Sequence, residues 1–263
     1  MQERVTYQNF KIVCKLRKDK GFKALFFLLS MIVGCLFFCV AVFEFVPQKK
    51  KYNVFKEQSV FFLSLAKTSN KNNVEFLKDK VRKVGGAGYV FVCDGVYKVI
   101  GFAYENKNVA EEIAKNIVGE FDVEIIERKI PKTKRKVKQQ ICCSPVIFES
   151  YKFIFNEIAG FYENIILYSK FKISDAEMYN IIAKNMIEIK ALQDQIEGLN
   201  LSKKMHKLIS KEILTMLFTL ENSLKIVSTE IYKSGQISVE MKKEYIFLVE
   251  MQIKMVESLN KIR

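Results

Sequence analysis

The stretch Tyr89–Phe102 reads YVFVCDGVYKVIGF and sets the predicted fold of the middle of this chain. Its two short runs, 89–93 and 96–102, are rich in aromatic and β-branched residues, which is typical of strands. They are separated by Asp94-Gly95, a dipeptide that predicts a two-residue turn because both residues tolerate positive φ. The stretch therefore predicts a β-hairpin.

The segments on either side of this hairpin extend the pattern. Residues 59–66 form an apolar, aromatic run typical of a strand, and 122–128 form another. Residues 72–84 and 107–118 carry apolar side chains at helical spacing. The order β-α-β-β-α-β predicts a ferredoxin-like domain over 57–128, with a four-stranded antiparallel sheet and both helices on one face.

An apolar segment precedes this domain. Residues 24–43, ALFFLLSMIVGCLFFCVAVF, contain no charged side chain over twenty positions. Twenty helical residues rise roughly 30 Å, the thickness of a bilayer's hydrocarbon core, so we predict a transmembrane helix over 24–46. The stretch is longer than the ~7–15 apolar residues of a cleaved signal peptide. A lipoprotein signal is the alternative because 32–35 (IVGC) resembles a lipobox, but mostly apolar residues continue beyond Cys35.

The charges that flank the apolar segment predict its orientation. Residues 1–23 contain seven basic side chains, whereas the other flank has four, at Lys49–Lys51 and Lys56. The positive-inside rule then favours a cytoplasmic N-terminus. We expect a single-pass protein of the cell membrane whose later domains lie outside the cytoplasm.

A basic run follows the predicted sheet domain. Residues 128–138 contain seven lysines and arginines and no acidic residue. Such a run is typical of a solvated, self-repelling linker. The alternative is contact with anionic wall polymers or lipid headgroups. Nucleic acid is not an expected partner, because the predicted compartment lies outside the cytoplasm.

The last segment, 146–263, has the pattern of about four helices. Apolar residues recur at spacings of three and four, and Ser174 and Glu177 form a capping box at the start of the second helix. Short breaks between long helices favour an antiparallel bundle that docks a protein partner or self-associates. The sequence thus predicts an α+β protein with an N-terminal transmembrane helix, a βαββαβ domain and a C-terminal all-α bundle. The predicted parts are a cytoplasmic basic tail (1–23), the transmembrane helix (24–46), the sheet domain (57–128), a basic linker (129–145) and a helical domain (146–263).

The middle segment resembles the SPOR domain, a sporulation-related repeat of bacterial envelope proteins, over about seventy residues. Several features carry the resemblance: Leu63–Ala66 at the first-strand motif, Val74, Leu77, Val81 and Gly85 in the first helix, Tyr97–Phe102 at the third strand, and Ala110 and Ile117 in the second helix. The resemblance implies binding to peptidoglycan, particularly to glycan strands without stem peptides, at division septa or around developing spores.

Three residues depart from the family pattern. The family's first-strand glutamine is Ser64 here, its glycine is Ala66, and its third-strand arginine is Lys98. A hydroxyl reaches less far than an amide and offers fewer hydrogen bonds, so Ser64 puts direct glycan binding in doubt.

With both predicted helices on one face, the other face of the sheet would be open to a ligand. The residues that we expect on that face are Phe62, Ser64 and Lys98, with Tyr89 and Phe91 as further candidates. Flat rings and a few hydrogen-bonding groups suit a carbohydrate. The alternative is that these aromatic residues pack beneath the C-terminal helices.

The sequence offers no catalytic or metal-binding pattern. It contains one histidine, His206, and no C-x-x-C motif, so a zinc site and a nucleophile–base pair are not expected. Glu111 and Glu112 are adjacent on a helix and point apart. We therefore expect no enzyme activity and no cofactor.

Two functional hypotheses follow. In the first, a membrane-anchored envelope protein binds peptidoglycan through its SPOR-like module during cell division or sporulation. In the second, the protein is a non-enzymatic membrane-tethered scaffold whose helical region recognises a protein partner and whose SPOR-like module no longer binds glycan.

Overall fold

A computed structural model of the chain describes residues 53–117, 121–231 and 237–262, which belong to one compact unit. The strands are β1 (Gln58–Thr68), β2 (Tyr89–Cys93), β3 (Val96–Tyr104) and β4 (Glu124–Ile130). The helices are α1 (Val74–Lys83), α2 (Lys107–Ile117), α3 (Arg135–Cys142), α4 (Pro145–Ser169), α5 (Asp175–Glu197), α6 (Lys204–Ile231) and α7 (Ile237–Lys261). A short 3-10 helix, Lys71–Asn73, leads into α1.

The four strands form one antiparallel sheet in the order β2-β3-β1-β4. The predicted hairpin is confirmed, since Cys93 pairs with Val96 across the turn. Asp94 and Gly95 have φ values of 51° and 77°. Positive φ at both central residues matches the right-handed twist of the two strands.

An irregularity in the central strand pair explains why residue 101 is glycine. Between β1 and β3 the register shifts twice, so that Gly101 and Leu65 are each left without a direct partner. A Cβ on Gly101 would lie 2.6 Å from Leu65 Cδ1. The Leu65 side chain therefore occupies the space that any larger residue at position 101 would need.

Helices cover both faces of the sheet. One face packs against α1 and α2, through a small core of Leu63, Leu65, Ala66, Val81 and Val99. The other face belongs to a larger core that continues into the C-terminal helices, with α7 against β3 and β4. The sheet is thus the middle layer of three.

This arrangement corrects the predicted fold class. The prediction of an α+β protein with a transmembrane helix, a ferredoxin-like domain and a separate bundle is wrong: the described chain is mostly helical, with seven α-helices around a small four-stranded sheet. The physical reason is that the sheet's second face is apolar and shares its core with the C-terminal helices. The predicted transmembrane helix at 24–46 lies outside the described residues. Among those residues, no helix combines the length and apolarity needed to cross a membrane.

Part of the basic run is also ordered, where a solvated linker was expected. Residues Arg135–Cys142 form α3, and its Val137 and Ile141 are buried. Apolar residues four apart give this short helix one face that packs against α4 and α6. The predicted capping box is confirmed, because Glu177 N donates to Ser174 Oγ at 3.3 Å and Ser174 N donates to Glu177 Oε2 at 2.7 Å.

Replacing Gly101 with alanine is expected to lower the free energy of unfolding by about 1–3 kcal/mol, because the new methyl group overlaps Leu65. Gly160→Ala is the matched control: apart from its chain neighbours and the nearby backbone of its own helix, nothing lies within 4 Å of its added Cβ. Because alanine favours a helix, this control should gain about 1 kcal/mol. Urea unfolding of the full chain in mild detergent measures both, and equal effects would contradict the proposed overlap.

Candidate functional site

The structure places the five residues predicted to bind glycan on one face of the sheet. Phe91 pairs with Lys98 across β2 and β3, and Tyr89 pairs with Ile100, which in turn pairs with Ser64. Direct cross-strand partners project from the same face. Phe62 projects from this face as well, since its ring meets Phe91 edge-on with centroids 5.0 Å apart.

This face is covered by the chain's own helices. Phe62 has an exposed fraction of 0% and belongs to the same core as residues of α4 and α7. Next to it, Phe102 stacks on Tyr162 of α4 with ring centroids 5.8 Å apart, and Tyr245 of α7 lies 5.9 Å away. The alternative considered from the sequence, packing beneath the C-terminal helices, therefore describes the position of Phe62.

Ser64 is also enclosed. Its exposed fraction is 1%, and its Oγ donates a hydrogen bond to the carbonyl oxygen of Ala66 at 3.2 Å. The hydroxyl sits at the strand irregularity, where it is hydrogen-bonded to a carbonyl of its own strand. In this arrangement Ser64 has no surface on which a ligand could contact it.

The polar groups of the remaining predicted residues make contacts within the chain. Lys98 Nζ donates to Glu124 Oε1 at 2.6 Å, and Tyr89 Oη donates to Glu250 Oε2 of α7 at 3.3 Å. Burial, together with the nearby Glu250 carboxylate, raises the pKa of Tyr89 to about 12. Tyr89 and Phe91 are half-buried, so their predicted role in glycan binding would require a partial opening of this face.

Charged contacts at the start of α7 were missed by the sequence reasoning. Arg82 of α1 forms a hydrogen-bonded ion pair with Glu240, which also accepts from Lys243 at 2.9 Å. Lys242 Nζ donates to the carbonyl oxygen of Gly85 at 2.7 Å and lies 5.8 Å from the Phe102 ring centroid. These contacts join α7 to α1, to the segment that follows α1 and to β3.

The pKa values of two buried acids of α7, Glu240 and Glu244, are shifted in opposite directions. Burial raises the pKa of Glu240, but the opposing hydrogen bonds and charges of Lys243 and Arg82 outweigh it, so the pKa is lowered overall. Burial raises the pKa of Glu244, and burial lowers the pKa of Lys242. The sequence contains a signal that these acids lie near the core. Glu240 and Glu244 are one helical turn apart, beside the apolar stripe that contains Met241 and Tyr245.

Other reactive or polar groups do not assemble into a catalytic site in the ranges that the structure describes. No three histidine, cysteine, aspartate or glutamate side chains there converge as metal ligands. Cys93, Cys142 and Cys143 are exposed free thiols. His206 Nε2 lies 2.7 Å from Gln140 Oε1, so it links α6 to α3.

A shallow cavity of about 380 Å³ lies where α5 meets α6. Its polar lining includes Glu197, Lys207 and Ser210, with apolar side chains such as Ile196 and Leu214 around them. These residues provide no nucleophile–base pair, because the chain's histidine lies elsewhere.

Comparison with known proteins gives a limited result. No family model matches the chain, and no curated protein matches it. Among solved structures, the chain is similar to the peptidoglycan binding domain of the Bacillus subtilis cell wall lytic enzyme CwlC. The match has 24% identity and a TM-score of 0.24, and it covers 27% of this chain and 91% of that domain. At that TM-score the likeness carries no argument about function.

Replacing Glu240 and Glu244 separately by glutamine is expected to have opposite effects at pH 7. Glu240→Gln should lower the free energy of unfolding by about 1–2 kcal/mol, because it removes the partner of Arg82. Glu244→Gln should raise it by up to about 1 kcal/mol, because a neutral amide loses less solvation on burial.

The two effects should also depend on pH in opposite directions. The lowered pKa of Glu240 means that its charge stabilises the fold above pH 4.5, and this stability is lost as the pH falls through the folded-state pKa. The raised pKa of Glu244 means that its charge costs stability at neutral pH, and this cost disappears towards pH 4.5. Urea unfolding of the full chain in detergent at pH 7 and pH 4 measures both. If both variants changed the free energy of unfolding in the same direction at pH 7, the opposite roles given to Glu240 and Glu244 would be contradicted.

Proposed function

We propose that this chain is a non-enzymatic protein of the bacterial cell envelope. In this proposal the apolar segment 24–43 tethers it to the cell membrane, the basic residues before it stay in the cytoplasm, and the described unit lies outside. The support comes from the sequence: twenty uncharged positions, an excess of basic residues on the N-terminal side, and the SPOR-like motifs between 63 and 117.

Within that setting, a scaffold that recognises another protein is the function that the geometry supports best. The observation that carries it is the burial of Phe62 and Ser64, with exposed fractions of 0% and 1%, beneath the chain's own helices. A face that forms part of the core is not available to a glycan. Recognition then falls to the outer helical surface, where Ile187 of α5 and Phe218 of α6 are exposed apolar side chains.

Peptidoglycan binding is the second candidate, and a separate observation favours it. The strands and helices between 58 and 130 follow the order β-α-β-β-α-β, and the chain keeps SPOR-like residues at Val74, Val81 and Gly85. In this candidate the glycan strands would be those at division septa or developing spores. The half-buried Tyr89 and Phe91, together with Lys98, would supply the contacts, and α7 would have to leave the sheet.

Sedimentation of the full chain, in mild detergent, with cell-wall sacculi discriminates the two candidates. The scaffold predicts equal retention on sacculi with and without amidase treatment, because the sheet face is closed. Glycan binding predicts enrichment on amidase-treated sacculi, and it requires Lys98→Ala to reduce that enrichment severalfold. Lys207→Ala is the matched control, since it removes an exposed lysine of α6, outside the sheet. Enrichment that only Lys98→Ala removes would overturn the scaffold.

The position of a fluorescent fusion in cells tests the scaffold directly. The double variant Ile187→Lys, Phe218→Lys changes exposed apolar side chains on the helical surface and should make a localised fusion spread evenly around the membrane. Val84→Lys is the control, because Val84 is an exposed apolar residue next to α1. If the double variant and the control leave the fusion in the same place, partner binding through α5 and α6 is wrong.

A further inference from the structure

Four cations of the basic run form an exposed group at the junction of β4 and α3. We name Lys132, Lys134, Arg135 and Lys136 the cationic cluster; all four side chains are exposed. Within the ranges described, 53–117, 121–231 and 237–262, none of the four forms an ion pair with a carboxylate. The cluster therefore concentrates four positive charges in five residues.

The other basic residues of the run have partners. Arg128 lies 3.7 Å from Glu250, and Lys129 lies 3.3 Å from Glu57. Lys138 Nζ lies 4.9 Å from the Phe55 ring centroid. These three cations contact other side chains of the fold, and this distinguishes them from the four cations of the cluster.

The backbone that carries the cluster is held in place on both sides. Asn260 of α7 donates from Nδ2 to the carbonyl oxygen of Lys132 at 3.0 Å, and its Oδ1 accepts from Lys134 N at 2.8 Å. Between them, Thr133 is buried, and its Oγ1 lies 2.8 Å from Tyr151 Oη. A disordered linker loses conformational entropy when it binds. This backbone is already ordered, so binding through it would lose less.

The cluster lies beside the point at which the chain arrives from its apolar segment. Thr133 N donates to the carbonyl oxygen of Phe55 at 3.2 Å. Only six residues, 47–52, separate Val46, the end of the predicted transmembrane helix, from Asn53, the first described residue. At ~3.3–3.6 Å per extended residue, this chain reaches at most about 25 Å. If the segment spans a bilayer, the length of this connection limits how far Asn53 can lie from the headgroups.

We propose that the cationic cluster binds the anionic headgroups of membrane lipids. The inference rests on the proposed membrane tether, and it adds a second contact between the protein and the bilayer. The chemistry that is recognised is a phosphate diester, which wall polymers also contain. Lipid is the source that the structure favours, because the short connection to the apolar segment keeps the cluster at a high local concentration of headgroups.

Hydrogen exchange of the full chain in nanodiscs tests this proposal. The amides of 131–143 should exchange about tenfold more slowly in discs with phosphatidylglycerol than in discs of phosphatidylcholine alone, since each surface cation contributes to the attraction. The difference should vanish at 0.5 M salt, because salt screens exposed charges (about 4 Å screening length). The variant K132Q/K134Q/R135Q/K136Q should show no difference between the two lipids.

The matched control is K203Q/K204Q/K207Q/K211Q, which removes four exposed lysines around the start of α6. It should keep the lipid-dependent slowing, and a loss equal to that of the cluster variant would overturn the proposal. Unchanged exchange in segments remote from the cluster checks that both variants are folded. A second arm adds soluble poly(glycerol phosphate) to phosphatidylcholine discs; slowing there, without slowing in phosphatidylglycerol discs, would assign the cluster to a wall polymer and overturn lipid binding.

Failure of the tether is distinguishable from failure of the cluster. Retention of the chain in liposomes after alkaline extraction supports the tether. If the chain is released, the tether is wrong, and the exchange difference between the two lipids at neutral pH still decides the role of the cluster. If it is retained and the exchange rates are the same in both lipids, only the role of the cluster is wrong.

Discussion

Burial of the aromatic face of the sheet against α4 and α7 is the interaction on which the arrangement of the described chain depends. Phe62 is fully enclosed, and Phe102 meets Tyr162 and Tyr245 from the two helices. Fully burying a phenylalanine side chain contributes roughly 1.5–3 kcal/mol. A sheet with helices on one face alone would leave these rings in water, so the C-terminal helices complete its core.

Polar contacts at the edge of this core define how α7 lies on the sheet. Apolar burial has no direction, whereas the pairs Arg82–Glu240 and Tyr89–Glu250 join particular atoms on different elements. Lys242 adds a third contact through the carbonyl of Gly85. Burial raises the pKa of Glu244, so the charge of this residue lowers the stability of the fold. The charges of α7 therefore do not all stabilise it.

The same packing decides what each surface of the molecule can do. A residue that fills a core cannot also present its face to a polymer, which is why Phe62 and Ser64 do not form an open glycan platform here. In the functions proposed above, recognition is left to the outer helical surface and to the ordered cationic cluster. In both places the exposed side chains are carried by backbone that is hydrogen-bonded elsewhere, so binding would not need to order the chain first.

Much of the local structure was predictable from the sequence, because local signals depend on near neighbours. The Asp94-Gly95 turn, the capping box at Ser174 and the face shared by Phe62, Ser64 and Lys98 follow from φ preferences, side-chain reach and the period of a strand. The sequence also identified the apolar segment 24–43 and the basic run. None of these signals depends on how distant elements meet.

Only the tertiary structure showed that the sheet's second face is covered and that part of the basic run is helical. An alternating strand looks the same whether its other face meets water or a helix from a hundred residues away. For that reason, the predicted open site became a covered one, and the predicted linker became α3. The partners of Glu240 and Glu250 were hidden for the same reason, since Arg82 and Tyr89 lie more than 150 residues earlier. Sequence determines what each segment can form; long-range packing determines which of its surfaces remain available.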